Sequence, residues 1–210
     1  MKIAVVGAAG MVGSRVVAEA ARRGHDPVAV IRNGRPVALP PGVVTVRGDA
    51  NDRSRMGELF VGADAVVVAT RPVPGQEHGV AATTRALLDA AAASGIRVLV
   101  VGGAAPLRNP AHPDRLVLDS PEYVPEPIRT IAGASVAQLD ACRDHPADWV
   151  YLSPPALLEP GTRTGTYRRG TTTLLVDAAG NSRISAEDLA VAILDELENS
   201  GGVEHFTVGY

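Results

Sequence analysis

The run Gly7-Ala8-Ala9-Gly10-Met11-Val12-Gly13 has the residue types and spacing of a backbone cradle for phosphate. It follows an apolar run, Lys2–Val6, and opens a segment of helical composition, so its glycines fall where a strand turns into a helix. There Gly7 permits the tight turn, Gly10 lets the backbone approach a pyrophosphate, and Gly13 lets the helix pack closely on the strand. Unpaired N–H groups and the helix dipole then face the anion.

Three further spots along the chain suit the rest of a dinucleotide. The second apolar run ends Val30-Ile31-Arg32-Asn33-Gly34-Arg35, with guanidiniums where a ribose-binding acid would stand, and Asp26 lies at the run's other end. Arginine matches a 2′-phosphate in charge and fork geometry, so NADP(H) is expected over NAD(H); a solvated loop arginine is the bland alternative. In Gly48-Asp49-Ala50 the carboxylate can accept from an adenine amino group while Ala50 packs on the ring, or Asp49 is a turn aspartate. Ala69-Thr70 and Gly102-Gly103 follow the fourth and fifth runs, at the carboxyl ends of strands where such sheets bind ligands.

Other chemistry is excluded by counting. Lysine occurs once, at Lys2, among 20 lysines and arginines, so no phosphate-binding G-x-x-x-x-G-K loop and no Tyr-x-x-x-Lys pair exists. The single cysteine, Cys142, forbids an intramolecular disulfide or a multi-cysteine metal site, and the five histidines are too widely spaced to pair on a helix, so no metal is expected. A nucleophilic role for Cys142 is disfavoured, and Trp149 is expected in the core. Arg163, Arg168 and Arg169 read as either a basic patch or a solvated loop.

The elements that must position these residues alternate. Lys2–Val6, Pro27–Ile31, Val43–Val46, Ala65–Ala69 and Arg97–Val101 are short, nearly all-apolar runs that predict buried parallel strands. Met11–Arg23, a shorter stretch over Asp52–Phe60, and Gln76–Ser94 predict helices between them; Gly24 and Gly95 end the two longer ones. A proline-rich loop over Asn109–Pro127 is followed by a helix over Ala134–Arg143, a strand over Trp149–Leu152, a further element at Thr173–Val176, a helix over Ala186–Glu198 capped by Ser185, and a strand near His205–Val208. The expected fold is α/β: a Rossmann-like, doubly wound parallel sheet in the order 3-2-1-4-5-6, with helices on both faces and a small C-terminal extension. At 210 residues, 46% hydrophobic, the chain suits one domain, 1–210, with 106–130 and 153–200 as the substrate side. A net charge of −3 gives no long-range attraction for nucleic acid or an anionic membrane. No run is long enough for a transmembrane helix, and the amino terminus does not read as a signal peptide, so a cytoplasmic monomer or homodimer is expected.

With GAAGMVG, IRN, GDA, VVVAT and VVGGA in this order, the chain resembles the atypical short-chain dehydrogenase/reductases, in the group of NmrA-like proteins and biliverdin reductase B. The segment SPPALLEPGTRTGTYRRG (153–170), with LLVD (174–177) and SRISAEDLAVAILDEL (182–197), looks like the NADH-flavin reductases of that group. The likeness is weakest between Pro106 and Ala147. It implies NADP contacts by Gly7, Gly10, Gly13, Arg32, Asp49 and Ala50, with Ser153–Ala156 flanking the nicotinamide; Ala9, Met11, Val12, Asn33, Ala69, Thr70, Gly102, Gly103 and Pro154 complete the expected cofactor-binding set. Pro106 stands where the family often has a serine. No firm catalytic residue emerges: Tyr123 and His112, in the proline-rich loop, are the candidates for a proton donor or a stacking platform, against solvated loop residues. These readings imply an NADPH-dependent reductase of flavin-reductase type, moving hydride to a flavin or similar small planar acceptor that is substrate rather than bound group. The alternatives are a non-catalytic NADP(H) sensor and, with less apparatus for it, a sugar-nucleotide epimerase or dehydratase.

Overall fold

Valine-rich runs can bury both faces only between two helical layers, and that is how the chain is built. The computed structural model describes residues 1–32 and 38–210. Strand β1 (Lys2–Val6) lies near the middle of the sheet, and α1 (Met11–Arg22) leads back to β2 (Asp26–Ile31). Next come β3 (Val44–Arg47), α2 (Arg53–Phe60), β4 (Ala65–Val68), α3 (Val80–Ala92) and β5 (Arg97–Val101). Then follow α4 (Arg129–Arg143), β6 (Trp149–Ser153), three short strands β7 (Leu157–Glu159), β8 (Arg168–Gly170) and β9 (Arg183–Ser185), α5 (Ala186–Glu198) and β10 (His205–Gly209).

The eight-stranded sheet runs β3-β2-β1-β4-β5-β6-β10-β8, so the expected order of the first six strands holds and two strands extend it. Every pairing is parallel except β10 with β8. This is a Rossmann-like α/β fold. Alternate residues of each strand enter different cores. Ile3, Val5, Val67, Leu99 and Phe206 pack under α1 and α5 with Val16, Leu189 and Ile193. Ala4, Val6, Val66, Val100 and Tyr151 pack under α2, α3 and α4 with Phe60, Leu88 and Leu139. Trp149 is buried in this second core.

Helix ends follow side-chain chemistry. Asp52 accepts from Arg55 N–H at 2.9 Å and starts α2; Ser185 accepts from Asp188 N–H at 3.0 Å and starts α5, as expected. Helix α4 begins at Arg129, earlier than Ala134, because a short 3₁₀ turn over Glu126–Ile128 with proline in its first turn feeds straight into it. Thr173–Val176 is not a strand: Thr173 makes one bridge to Arg108, and Leu174 joins Leu107, Val117 and Val124 in a small core beneath the proline-rich loop. That loop is held from within by Asn109, which donates to Ser120 and Glu122 and accepts from the backbone of Ala111 and His112.

Buried carboxylates pin the C-terminal part. Asp188 accepts from the Thr164 and Gly165 backbone and from the hydroxyls of Thr164 and Tyr210. Burial works against its charge, but these hydrogen bonds outweigh it and hold the carboxyl below its ordinary range. Glu19 binds Arg22, Arg23 and Arg163, and Glu196 binds Arg97 and Arg169. Arg169 also lies 3.9 Å over the Phe206 ring, and Arg168 bonds the Val176 carbonyl. The arginines of 163–169 are therefore structural pins rather than a basic patch.

Candidate functional site

At the carboxyl ends of β1, β2, β4, β5 and β6 the sheet opens into a cleft of about 1030 Å³. A parallel sheet that reverses direction beside β1 leaves a crevice there, because its connections leave on opposite faces. A separate hollow of about 170 Å³, lined by Arg97, Asp148 and Trp149, sits at the other ends of β5 and β6.

The cleft floor begins at the glycine loop. Gly7 has φ +87°, and a Cβ there would lie 2.5 Å from the Ala69 carbonyl oxygen. Gly10 N–H donates to Gly7 O at 2.9 Å, closing the turn, and Ser14 N–H donates to Gly10 O at 3.0 Å as the first helical bond. Hence the N–H groups of Met11, Val12 and Gly13 have no acceptor within the helix. No side chain caps α1 and its first turn holds no acid, so this positive end is left for an anion. Gly13 does not line the cleft; it is buried against the backbone of Gly7 and Ala8 and lets α1 sit close to the turn. These features fit a dinucleotide pyrophosphate.

The cleft walls then follow the strand ends. Ala9, Met11, Val12, Arg32, Asp49, Ala50, Ala69, Thr70, Gly102, Gly103 and Pro154 all line it with Gly7 and Gly10. Arg32 is exposed just past β2, while Asn33 and Arg35 lie outside the described residues. Asp49 Oδ1 accepts from the Asn51 backbone and side-chain amides at 3.0 and 3.1 Å, and Asn51 in turn accepts from Thr83 Oγ1 at 2.6 Å. The asparagine thereby ties the loop after β3 to α3.

Beyond Gly103 the cleft turns apolar. Tyr123, Val124, Ile128, Ile131, Ala132, Pro154, Pro155 and Leu158 face it, with Arg71 and His78 on the side of the loop after β4. Of the two residues considered for proton donation, Tyr123 lines the cleft and is half-buried. His112 does not line it: it is exposed on the far turn of the loop, where its backbone N–H goes to Asn109 Oδ1. The contribution of 153–200 is likewise confined to Pro154, Pro155, Ala156 and Leu158; the arginine and carboxylate pins above draw the remainder toward α1 and α5.

A buried polar group lies directly beneath Gly102 and Gly103. Tyr151 donates its hydroxyl to the Ser135 carbonyl at 2.9 Å and lies 3.2 Å from Gln138 Oε1, while Gln138 Nε2 donates to Thr84 Oγ1 at 3.3 Å. Burial pushes the Tyr151 phenol well above its ordinary range, so it stays a donor. Ser135 and Gln138 also line the cleft. The sequence did not single them out, because what marks them is their contact with Gly103 and Tyr151; with the helix from Arg129, they share a face with Ile128, Ile131 and Ala132 at spacings of three and four. Cys142 is buried on the same helix and burial pushes its thiol up to about 12, which leaves it protonated and inert. Among the described residues no cluster of His, Cys, Asp and Glu is arranged to hold a metal, and no helix is long and apolar enough to cross a membrane.

A family model described as NAD(P)H-binding matches residues 7–200. The Bacillus subtilis protein YwnB is 36% identical over 211 residues, which is 99% of this chain and 98% of that protein. A solved structure from Bacteroides thetaiotaomicron, described as a "putative epimerase", is 36% identical with a TM-score of 0.90, covering 100% of this chain and 96% of the other. Another, "a putative NADH-flavin reductase" from Streptococcus pneumoniae, is 27% identical with a TM-score of 0.89, covering 100% and 99%. A glycine loop at the head of an uncapped helix, strand ends opening on one cleft, and a match over nearly the whole length agree: the chain belongs to the NAD(P)H-binding family.

Proposed function

We propose that this chain is a cytoplasmic NADPH-dependent oxidoreductase of the flavin-reductase type, acting on a flavin or similar planar acceptor. One observation carries the reading: the cleft of about 1030 Å³ that begins at the glycine loop continues past Gly103 into walls of proline, isoleucine and tyrosine. NADPH, when bound, supplies a hydride at its nicotinamide. The chain's part is to hold two flat rings together and keep water from between them, for which Pro154, Pro155, Ile131 and Tyr123 are suited. Reduction of a flavin to its anion consumes a hydride and no proton, so it does not require an acid–base pair. That agrees with a chain whose single lysine opens β1, at the end of the sheet away from the cleft. The 27% identical Streptococcus structure supports the same class.

The preference for NADPH rests on Arg32. It is exposed beside the cleft just past β2, no acid of the described residues stands at that end, and a guanidinium there favours a 2′-phosphate. The 36% identical Bacteroides structure favours an epimerase reading instead. Against it stands the chain's single lysine, Lys2, which opens β1 and cannot complete the Tyr-x-x-x-Lys pair of that chemistry. The deciding experiment follows NADPH oxidation at 340 nm with FMN, riboflavin, a quinone and a tetrapyrrole as acceptors, beside calorimetric titration of NADP⁺. Turnover of a planar acceptor is the expected result. Tight NADP⁺ binding with no turnover of any acceptor would replace the enzyme by a sensor.

A further inference from the structure

We infer that Ser135, on α4, is the hydrogen-bond donor that meets the acceptor above the end of β5. The inference rests on the reading of the cleft as an oxidoreductase site. Three observations converge on this hydroxyl. It is the side chain that stands over Gly103: a Cβ on that glycine would lie 2.9 Å from Ser135 Oγ and 3.1 Å from its Cβ. The space at Gly102 is taken by the Tyr151 hydroxyl, so a ligand end that reaches Gly103 meets Ser135, which lines the cleft there.

The second observation is the bond that the hydroxyl now makes. Ser135 Oγ donates to Ala132 O at 2.7 Å, one turn back in its own helix. That carbonyl is also the regular acceptor for the N–H four residues on, at Val136, so the serine's bond to it is redundant. Turning the hydroxyl toward a ligand leaves no buried acceptor unpaired. A proton already held in a needed bond would not be free in this way.

The third observation is the seat. The carbonyl of Ser135 accepts from the buried Tyr151 hydroxyl at 2.9 Å, and Gln138, one turn on, is fixed between Tyr151 and Thr84. The backbone of α4 is thus tied to β6 at this one residue, and the Oγ position is held against the end of β5. Pro106 is buried in the loop after β5 and brings no hydroxyl, so the donor comes from the helix across the cleft instead. A planar carbonyl acceptor that reaches Gly103 would accept a hydrogen bond from the Ser135 hydroxyl at its oxygen. The hydroxyl keeps its proton throughout, since it positions and polarises the acceptor and is not itself an acid.

The test compares wild type with Ser135→Ala in the NADP⁺-loaded protein, titrated with FMN and with 1,4-naphthoquinone and read by fluorescence quenching. NADPH turnover and melting temperature are measured alongside. The loss of one neutral hydrogen bond predicts acceptor affinity about fivefold weaker, with NADP⁺ affinity within about twofold of wild type and an unchanged melting temperature. Equal acceptor affinity in the two proteins would overturn the proposal. So would a variant whose loss appears in NADP⁺ affinity, which would make Ser135 a nucleotide contact. A wild type that binds naphthoquinone but not FMN overturns the flavin reading alone, and the Ser135 comparison is then read on the quinone. A wild type that binds neither overturns both.

Discussion

Gly10 and Gly13 sit in the same loop and should fail in different ways when each is changed to alanine. At Gly13 a Cβ would press hardest on the Gly7 carbonyl oxygen and come within 2.8 Å of its carbon and 2.9 Å of Ala8 Cα, all of it backbone. Ordinary contact starts near 3.4 Å, so α1 must back away from that oxygen by about an ångström. Overpacking of that kind costs about 1–3 kcal/mol, and the better helix propensity of alanine returns up to about 1 kcal/mol. At roughly 2–4 °C per kcal/mol for a chain of this size, Gly13→Ala should lower the melting temperature by several degrees without nucleotide. At Gly10 the nearest atom is the Gly7 oxygen at 3.2 Å, which needs to give only a few tenths of an ångström. Loss of a tolerated N-cap residue adds about 0.5–1 kcal/mol, so Gly10→Ala should melt close to wild type. Its new methyl, however, stands on the exposed side of the loop where the pyrophosphate approaches. At nucleotide a hundredfold above the wild-type Kd, binding stabilises by about 2.7 kcal/mol; a tenfold weaker site gives about 1.4 kcal/mol. The assay is thermal melting of both variants with and without NADP⁺, with calorimetric Kd values. A Gly10→Ala protein that keeps the full nucleotide shift, or a Gly13→Ala protein that melts like wild type, would refute the division of labour.

Arg32→Ala should lower NADPH affinity more than tenfold and leave NADH affinity nearly unchanged, as measured by titration, since a charge-assisted bond contributes about 1.5–3 kcal/mol; equal losses would put Arg32 elsewhere. His205 is buried, its Nε2 lies 3.0 Å from Ser153 Oγ, and burial, with the Arg143 charge, lowers its pKa from the ordinary 6.5 to about 4. Between those values the unfolded chain binds a proton that the native state refuses, so stability is full above pH 6.5 and falls by about 1.4 kcal/mol per unit toward pH 4. Urea midpoints from pH 7 to pH 5 should show this slope in wild type and a flatter one in His205→Leu; parallel slopes would count against it. Substituting Tyr123 by Phe should reduce kcat less than about a hundredfold, and His112 by Ala should leave it unchanged, because positioned acid catalysis contributes 10²–10⁴-fold and neither is expected to supply it. A larger loss at Tyr123 with intact NADP⁺ binding would move the acceptor toward a carbonyl that needs a proton.

The nucleotide end was legible because its signals are local. A strand of Ile, Ala and Val, a glycine triplet and a helix follow one another within residues 2–22, and the sheet order follows from handed crossovers between such units. The acceptor end was less so. Ser135 and Gln138 matter through Gly103 and Tyr151, more than a dozen residues away along the chain, and no local period announces such pairs. Strands β7, β8 and β9 have three residues each, too short for alternation to register, and β7 finds its partner only when β9 comes back beside it. His112 and Tyr123 share one proline-rich loop and were indistinguishable by composition. The bonds of Asn109 that fold the loop over the Leu107 core turn His112 outward and leave Tyr123 at the cleft.

The cleft is assembled from two separate lengths of chain. Its lining residues up to Thr83 come from β1 through the start of α3, and those from Val101 to Leu158 come from β5 onward. Across the gap, the floor at Gly7, Gly10, Gly102 and Gly103 carries no side chains. Mutations in the second length can therefore reshape what the cleft accepts without disturbing the phosphate cradle in the first. Mutational drift in substrate choice should accumulate in 104–135 and 154–158, and a graft of those stretches from a relative should transplant acceptor preference onto an unchanged phosphate cradle. The exception within that length is Tyr151, whose hydroxyl fills the space under Gly102 and ties α4 to the sheet; a graft that omits it would lose the frame on which the new wall has to stand.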